Sequence, residues 1–477
     1  MKTKKGWTLL TVCIFLAVLV EVCLLRERVG ISYTVFILVF YTFFFYHFRI
    51  RSFQNKQISD FFFITIWLLA LSFAVYSNPF FEMLNSLLIP LLVFVHTIML
   101  TSSTFVHWYS KSLLSLLVKK LAQMLSCSRV YIAISKRQLR RKVDRSTYQI
   151  GKKVAIGVLL SIPLLFIIIS LLSAADAKFT EMLQVIPEMF LNLETDVFWN
   201  FLKIGLFTIA FHCYFKVVNK RTIIKEVSAN EGKRNWDTIT ITTILIFVNF
   251  VYLLFAIVQF QYLFSGTLQA GFSFAEYARR GFFELIFVTM INYCILISTI
   301  SFIKNQQSKI IKTLLTFLIV FSTVLLSSAY VRMMLYEQAY GFTSLRFLVY
   351  TFMVFLMIIL AYTLVKVWIT RLPLMRFYII AALVYYLGLN LIGIDQWVVS
   401  KNIERYETTG NIDLEYVDGL SYSAIPPLVE LNFKHPDIVG LEALLVRKQE
   451  QISQEKVTWQ SFNLSRERAK KALGQMQ

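Results

Sequence analysis

Long apolar runs separated by short polar ones set the pattern of this chain. A bilayer core about 30 Å thick takes roughly 20 apolar residues per helix. Eleven stretches meet that length: 7–25, 30–48, 58–77, 79–101, 154–172, 198–218, 238–264, 281–303, 310–330, 347–366 and 377–393. The third and fourth are divided only by Asn78-Pro79, and the last is short. Beyond about residue 394 the long runs stop, and leucines fall at helical spacing among charges. The pattern predicts an all-α, polytopic integral membrane helical bundle of about 11 transmembrane helices, followed by a small α-helical C-terminal tail.

The first stretch follows Lys2, Lys4 and Lys5, as the core of a signal peptide would, but no small-residue cleavage site comes after it. It reads as a retained helix. Four regions follow from the pattern: a four-helix membrane region over 1–101, a basic amphipathic segment over 102–153, a seven-helix membrane region over 154–393, and the tail over 394–477.

Composition excludes a soluble globular protein. Of 477 residues, 57% are hydrophobic and 16% charged, and the mean hydropathy is +0.63, where soluble domains average about 25% charged. Glycine (16) and proline (8) are scarce. Coupled transporters often use helices broken by these residues, or buried charges near the midplane, so uninterrupted helices weigh against that class.

Charge then sets the orientation. With the N-terminus inside, the inner segments carry 30 basic residues and the outer loops between helices carry seven. Lys and Arg accumulate on the cytoplasmic side, so an odd number of spans places the tail outside. The tail holds 10 basic and 12 acidic residues, a net −2, so the formal +20 of the chain resolves into +22 on the membrane part and −2 on the tail. The expected partners of that charge are the bilayer and, at the basic inner loops, anionic lipid headgroups. No basic-aromatic platform for nucleic acid accompanies it. Within the inner segment, Leu113, Leu114, Leu117, Leu121 and Leu125 repeat near helical spacing beside Lys119 and Lys120, which predicts a helix in the membrane interface, facing lipid or a protein partner.

Chemistry-bearing residues are few. The cysteines (Cys13, Cys23, Cys127, Cys213, Cys294) avoid the tail and show no metal-ligand spacing. No metal or other cofactor is implied. Glu21, Asp60, Lys203 and Glu284 lie close enough to span ends to reach the interface. His47, His96 and His212 read as packed, hydrogen-bonded histidines. Asn249 and Asn292 fall near the midpoints of consecutive antiparallel spans, where a mutual hydrogen bond would join the helices.

The outer stretches carry the most information. Residues 262–284 read YLFSGTLQAGFSFAEYARRGFFE, in which Glu276, Arg280 and Glu284 share a helical face, with Arg279 alongside. Residues 337–347 read EQAYGFTSLRF, with Tyr340 and Arg346. The tail opens with NIERYETTGNIDLEYVDGLSYSAIPPL, with Asn402, Arg405, Tyr406, Asp413, Tyr416 and Ser421, and SFNLSRERA follows at 461–469. These four blocks, in this order over about 240–470, resemble an uncharacterised family of bacterial polytopic membrane proteins, the domain of unknown function 4153/4173 type. Val417 stands where that pattern carries leucine. The resemblance implies a multi-pass protein of the bacterial cytoplasmic membrane and supplies no reaction, substrate or cofactor.

The blocks lie on the predicted outer face, so the tail is expected to cap the loops that bear Glu276, Arg279, Arg280, Tyr340 and Arg346. Leu441, Leu444, Leu445, Val446, Trp459, Phe462 and Leu464 suit helices that need a partner surface. Three functions fit: an envelope-facing accessory or sensing role binding a lipid, polymer or partner protein at the outer face, which the pattern favours; a transporter or channel for a small solute; and a membrane-embedded transferase acting on a lipid-linked substrate. The third lacks a nucleophile-base pair or a recognisable catalytic motif, so the sequence leans away from an enzyme.

Overall fold

The computed structural model describes residues 2–49, 56–102, 108–109, 111–142, 153–154, scattered positions over 157–172, and 195–220, 236–265, 282–303 and 308–476. Among the described residues the protein is helical, without a strand; a single bridge joins Trp236 to Ile303. Ten described helices are long and apolar enough to cross a membrane. They correspond to ten of the eleven apolar stretches. The remaining one, 154–172, is described only at Val154, Gly157, Ser161, Leu164, Leu165, Ile168, Ile169 and Leu172, each of them helical and exposed.

The helices, in chain order, are α1 (Lys2–Val20), α2 (Ile31–Phe48), α3 (Lys56–Val75), α4 (Pro79–Thr101), α5 (Lys111–Lys142), α6 (Thr195–Asn219), α7 (Thr238–Ser265), α8 (Phe282–Phe302), α9 (Lys309–Tyr340), α10 (Ser344–Trp368) and α11 (Leu374–Leu391). The tail adds α12 (Ile394–Thr409), α13 (Leu414–Asp418), α14 (Ile425–Lys434), α15 (Leu441–Gln454) and α16 (Leu464–Leu473). The α3–α4 break is three residues long. Asn78 makes it by accepting hydrogen bonds on Oδ1 from the Phe80 and Phe81 amides, with Pro79 in the first helical position, where no amide is needed.

The chain forms two compact units, Met1–Asp60 with Val93–Ile224, and Phe61–Leu92 with Lys225–Gln477. In the first, α1 and α5 both pack on α6. Phe36, Phe40 and Phe44 line one face of α2, and Phe40 meets Phe211, Tyr214 and Phe215 of α6 with ring centroids 5.9–6.4 Å apart. His96 is buried between Tyr41 Oη at 2.7 Å and Ser59 Oγ at 2.6 Å, one on each ring nitrogen. Glu21 differs from the expectation that it reaches the interface. It is buried in the π turn Glu21–Leu25 that closes the first span.

In the second unit α9 is the central helix, packed by α7, α8 and α10. It runs 32 residues without Gly or Pro and buries Leu315, Leu318, Ile319, Leu325, Leu326, Ala329 and Met333. The predicted span stops ten residues short of its end, because polar residues after 330 keep the helix going beyond the apolar run until Gly341 breaks it.

The tail has its own core. Val399, Val417, Ile425, Leu428, Leu441, Leu444, Leu445, Ala469 and Leu473 pack together across α12–α16. Val446, Trp459 and Phe462 differ from the sequence expectation and are exposed. Val446 directly follows the buried Leu444 and Leu445, and helical geometry turns it away from their face.

Candidate functional site

Three helix junctions of the second unit meet at the tail: α3–α4, α9–α10 and α11–α12. The α9–α10 turn requires Gly341. Its φ is +82°, and a Cβ there would lie 2.9 Å from Arg405 Nη1 and 3.0 Å from Asn402 Oδ1. Asn402, on the buried side of α12, donates from Nδ2 to the Phe342 carbonyl (2.9 Å) and the Val398 carbonyl (3.0 Å), while its Oδ1 accepts from the Phe342 amide (3.1 Å). Both backbone groups of a non-helical residue thus find partners in one side chain. Arg346 donates to the Gly341 carbonyl, with its guanidinium 4.4 Å from the centre of the Tyr336 ring.

The next residues of the turn engage the rest of the tail. Tyr416 Oη accepts from the Ser344 amide at 2.7 Å. Ser344 Oγ donates to Asp395 Oδ1 at 2.7 Å, and Asp395 Oδ2 accepts from the Ser421 amide (3.2 Å) and Asn78 Nδ2 (3.4 Å). One buried carboxylate in the first turn of α12 therefore ties together the α3–α4 turn, the start of α10 and the tail.

Beside it, Asn85 of α4 donates to Asn390 Oδ1 (2.6 Å) and Ser72 Oγ (3.2 Å) and accepts from Tyr386 Oη (2.6 Å). Ser72, Asn78, Asn85, Asn390, Asp395 and Ser421 line a small cleft of about 20 Å³, space for about one water. At the opposite end of the tail, Asn463 Nδ2 donates to the Phe73 carbonyl (2.9 Å) and Ser465 Oγ to the Val75 carbonyl (2.7 Å). These are carbonyls of the last turn of α3, which have no partner within their own helix.

The outer-face residues named from sequence thus divide. Arg346, Asn402, Arg405 and Tyr416 come together around the α9–α10 turn. Asp413 caps α13, accepting from the Tyr416 amide at 3.0 Å. Tyr406 packs in the tail core with its ring 5.5 Å from His435, and Tyr340 is exposed, its ring 4.8 Å from Tyr336. Glu284 is exposed in the first turn of α8. Glu276, Arg279 and Arg280 lie outside the described residues.

The mid-membrane asparagines do not have the partners expected from sequence. Asn249 donates to the Leu245 and Leu314 carbonyls, and Asn292 accepts from Tyr252 Oη (2.6 Å) and donates to Ser322 Oγ (2.9 Å). The reason is packing: α7 and α8 each lie against α9, so both asparagines reach α9, and Tyr252, one turn beyond Asn249, is the α7 residue opposite Asn292.

Sequence reasoning missed Asp395, Ser344, Asn78, Asn85 and Asn390. An acid in a helix's first turn and a Ser at its start look like ordinary capping residues, and Asn85 and Asn390 meet across 305 positions. Among the described residues no three of His, Cys, Asp and Glu converge as metal ligands, and all five cysteines are free. The arrangement is a latch that joins the tail to the ends of the spans.

Among the described residues, ten apolar helices of spanning length, together with a helical cap latched to the α3–α4, α9–α10 and α11–α12 junctions of the second unit, define a multi-pass α-helical membrane protein. The chain belongs to the family described as Domain of unknown function (DUF4153), whose model matches residues 63–431. The match runs from within α3 to within α14, so it takes in every residue of the latch around Asp395. It reaches further towards the N-terminus than the four sequence blocks and stops before the block at 461–469. No curated protein and no solved structure matches the chain.

Proposed function

We propose that the protein is an envelope-facing accessory or sensing protein of a bacterial cytoplasmic membrane, with its N-terminus in the cytoplasm and residues 394–477 forming an extracytoplasmic cap that binds a lipid, polymer or partner protein. The observation that carries this reading is the latch. The polar residues of the motif blocks that lie near the α9–α10 turn are engaged with one another and with backbone groups, holding the cap fixed on the span ends. A rigid cap suits a binding platform.

The count of eleven spans has support from parity. α3 and α9 end on the same side, since both ends contact α12. An even number of crossings must separate them, and α4, α6, α7, α8 and α9 supply five. The apolar run 154–172 has the length to supply the sixth. On the inner side, α5 turns Leu113 and Leu116 inward and leaves Leu114, Val118, Leu121 and Leu125 exposed as one stripe. With Lys119 beside it, this stripe suits the acyl boundary of an anionic leaflet.

Two experiments test the reading. A single cysteine placed at Gln477 should react with an impermeant thiol reagent in intact cells; labelling only after permeabilisation would overturn the orientation. Photo-crosslinkers at exposed cap positions such as Val439 and Phe433 should trap an envelope component reproducibly. Absence of any cap-dependent adduct, lipid included, would sink the platform.

A further inference from the structure

The α16 helix bounds a cleft of about 240 Å³ whose lining includes Tyr76, Gln396, Ser465, Arg468, Lys471 and Gln475. Arg468 and Lys471 lie one turn apart on α16, both exposed, and no acidic residue joins them in the lining. Among the described residues neither makes an ion pair. The depth of the cleft is set by its neighbours. Tyr76 directly follows the span Ile58–Val75, and Gln396 sits in the first turn of α12, five residues beyond the span Leu374–Leu391.

A second observation places the same edge of the cap at the membrane surface. Asn463 bonds the Phe73 carbonyl, inside the span, so the preceding loop stands level with the last turn of α3. There Trp459 is 53% exposed and Phe462 43% exposed. Large aromatics at the end of a span occupy the headgroup layer.

We propose that this cleft binds a phosphate-bearing anionic headgroup, with Arg468 and Lys471 as its cationic contacts and the Gln396 and Gln475 amides as neutral donors. Arg offers paired donors to phosphate oxygens and Lys adds a point charge. The volume falls just below the roughly 300–1,000 Å³ of small-molecule sites, which fits a headgroup whose acyl chains remain in the bilayer beside Phe462. The proposal rests on the binding-platform reading and names its ligand class.

The test uses full-length protein in neutral detergent, with the unfolding midpoint followed during titration with phosphatidylglycerol, phosphatidylcholine or inorganic phosphate. Phosphatidylglycerol should raise the midpoint saturably and phosphatidylcholine should not. In the Arg468→Gln/Lys471→Gln variant the apparent affinity should fall roughly tenfold or more. A charge-matched control, Lys434→Gln/Lys456→Gln, should behave as wild type, and Lys471→Gln alone should fall between. A wild-type response to inorganic phosphate alone that the double variant loses would keep the site and assign it to soluble phosphate compounds. Equal responses from wild type and double variant, or no response to any phosphate, would overturn the site. An accessible Gln477 label alongside a failed titration would leave the platform reading standing and remove only this ligand.

Discussion

Asn402 and Phe342 exchange two hydrogen bonds, the side-chain amide donating to the carbonyl at 2.9 Å and accepting from the backbone N–H at 3.1 Å. Asn402 does for the α9–α10 turn what a neighbouring strand would do in a sheet. Replacing it with alanine leaves both Phe342 groups without these partners in a part-buried setting, at a cost of about 1–2 kcal/mol. Asn402→Ala should lower the unfolding midpoint in detergent. Asn402→Asp should do no better, because it keeps the acceptor but sets a negative charge against the Phe342 carbonyl. An alanine variant that unfolds with the wild type would mean that the apolar cap core alone holds the turn.

A pH-dependent contribution comes from Asp418. Burial alone would raise its carboxyl, but Lys448 and Arg447 outweigh this and hold its pKa below the ordinary carboxylate range; Arg447 Nη2 lies 2.7 Å and Lys448 Nζ 3.2 Å from its oxygens. A carboxyl lowered by folding contributes stability that is fully present above its unfolded pKa and lost as pH falls through its folded value. Asp418→Asn should therefore unfold at a lower temperature than wild type at pH 6, by under about 1 kcal/mol for partly exposed partners. The difference should close in acid, once the pH has fallen through the lowered folded-state pKa of Asp418. Thermal melts of both proteins across this range provide the check.

Much of the architecture was legible in the sequence because membrane helices leave a coarse signal. A run of about 20 apolar residues can be read without knowing what it packs against, and Asn78-Pro79 marked the α3–α4 turn through one capping side chain and one missing amide. The cap leucines Leu441, Leu444 and Leu445 followed from helical period, yet the same reasoning misplaced Val446, which the helix turns away from their face, and Trp459 and Phe462, which lie in the loop between α15 and α16. The latch was half legible. Asn402 and Tyr416 stood out by their motif, whereas Asp395 did not, because its three partners come from positions 78, 344 and 421 and only the fold brings these together.

The mid-membrane asparagines make a discriminating pair of cycles. Asn292 and Ser322 are bonded at 2.9 Å, so Asn292→Ala and Ser322→Ala should couple by about 0.6 kcal/mol and at most about 1.7 kcal/mol, as polar pairs between membrane helices do. Asn249 has no bonding partner in common with Asn292. Asn249→Ala and Asn292→Ala should therefore be additive within about 0.5 kcal/mol. Coupling in the second cycle larger than in the first would restore the direct pairing that the sequence first suggests.

Lys120 offers the sharpest test of how α5 is held. Its side chain is buried, and Nζ donates to the Val217 carbonyl at 2.7 Å and the Lys220 carbonyl at 2.6 Å, at the C-terminal end of α6. A cation there meets carbonyls that have no intrahelical partner and the negative end of the helix dipole. Lys120→Met keeps most of the aliphatic stem and removes both bonds, so it should destabilise by about 1–3 kcal/mol. It should also raise hydrogen exchange in α5 and in the last turn of α6. Lys119 is exposed one position away, so Lys119→Met makes the same change in charge with an expected effect within about 0.5 kcal/mol. If the two variants behaved alike, Leu113 and Leu116 alone would fix α5 on α6, and the buried ammonium would follow from their packing rather than direct it.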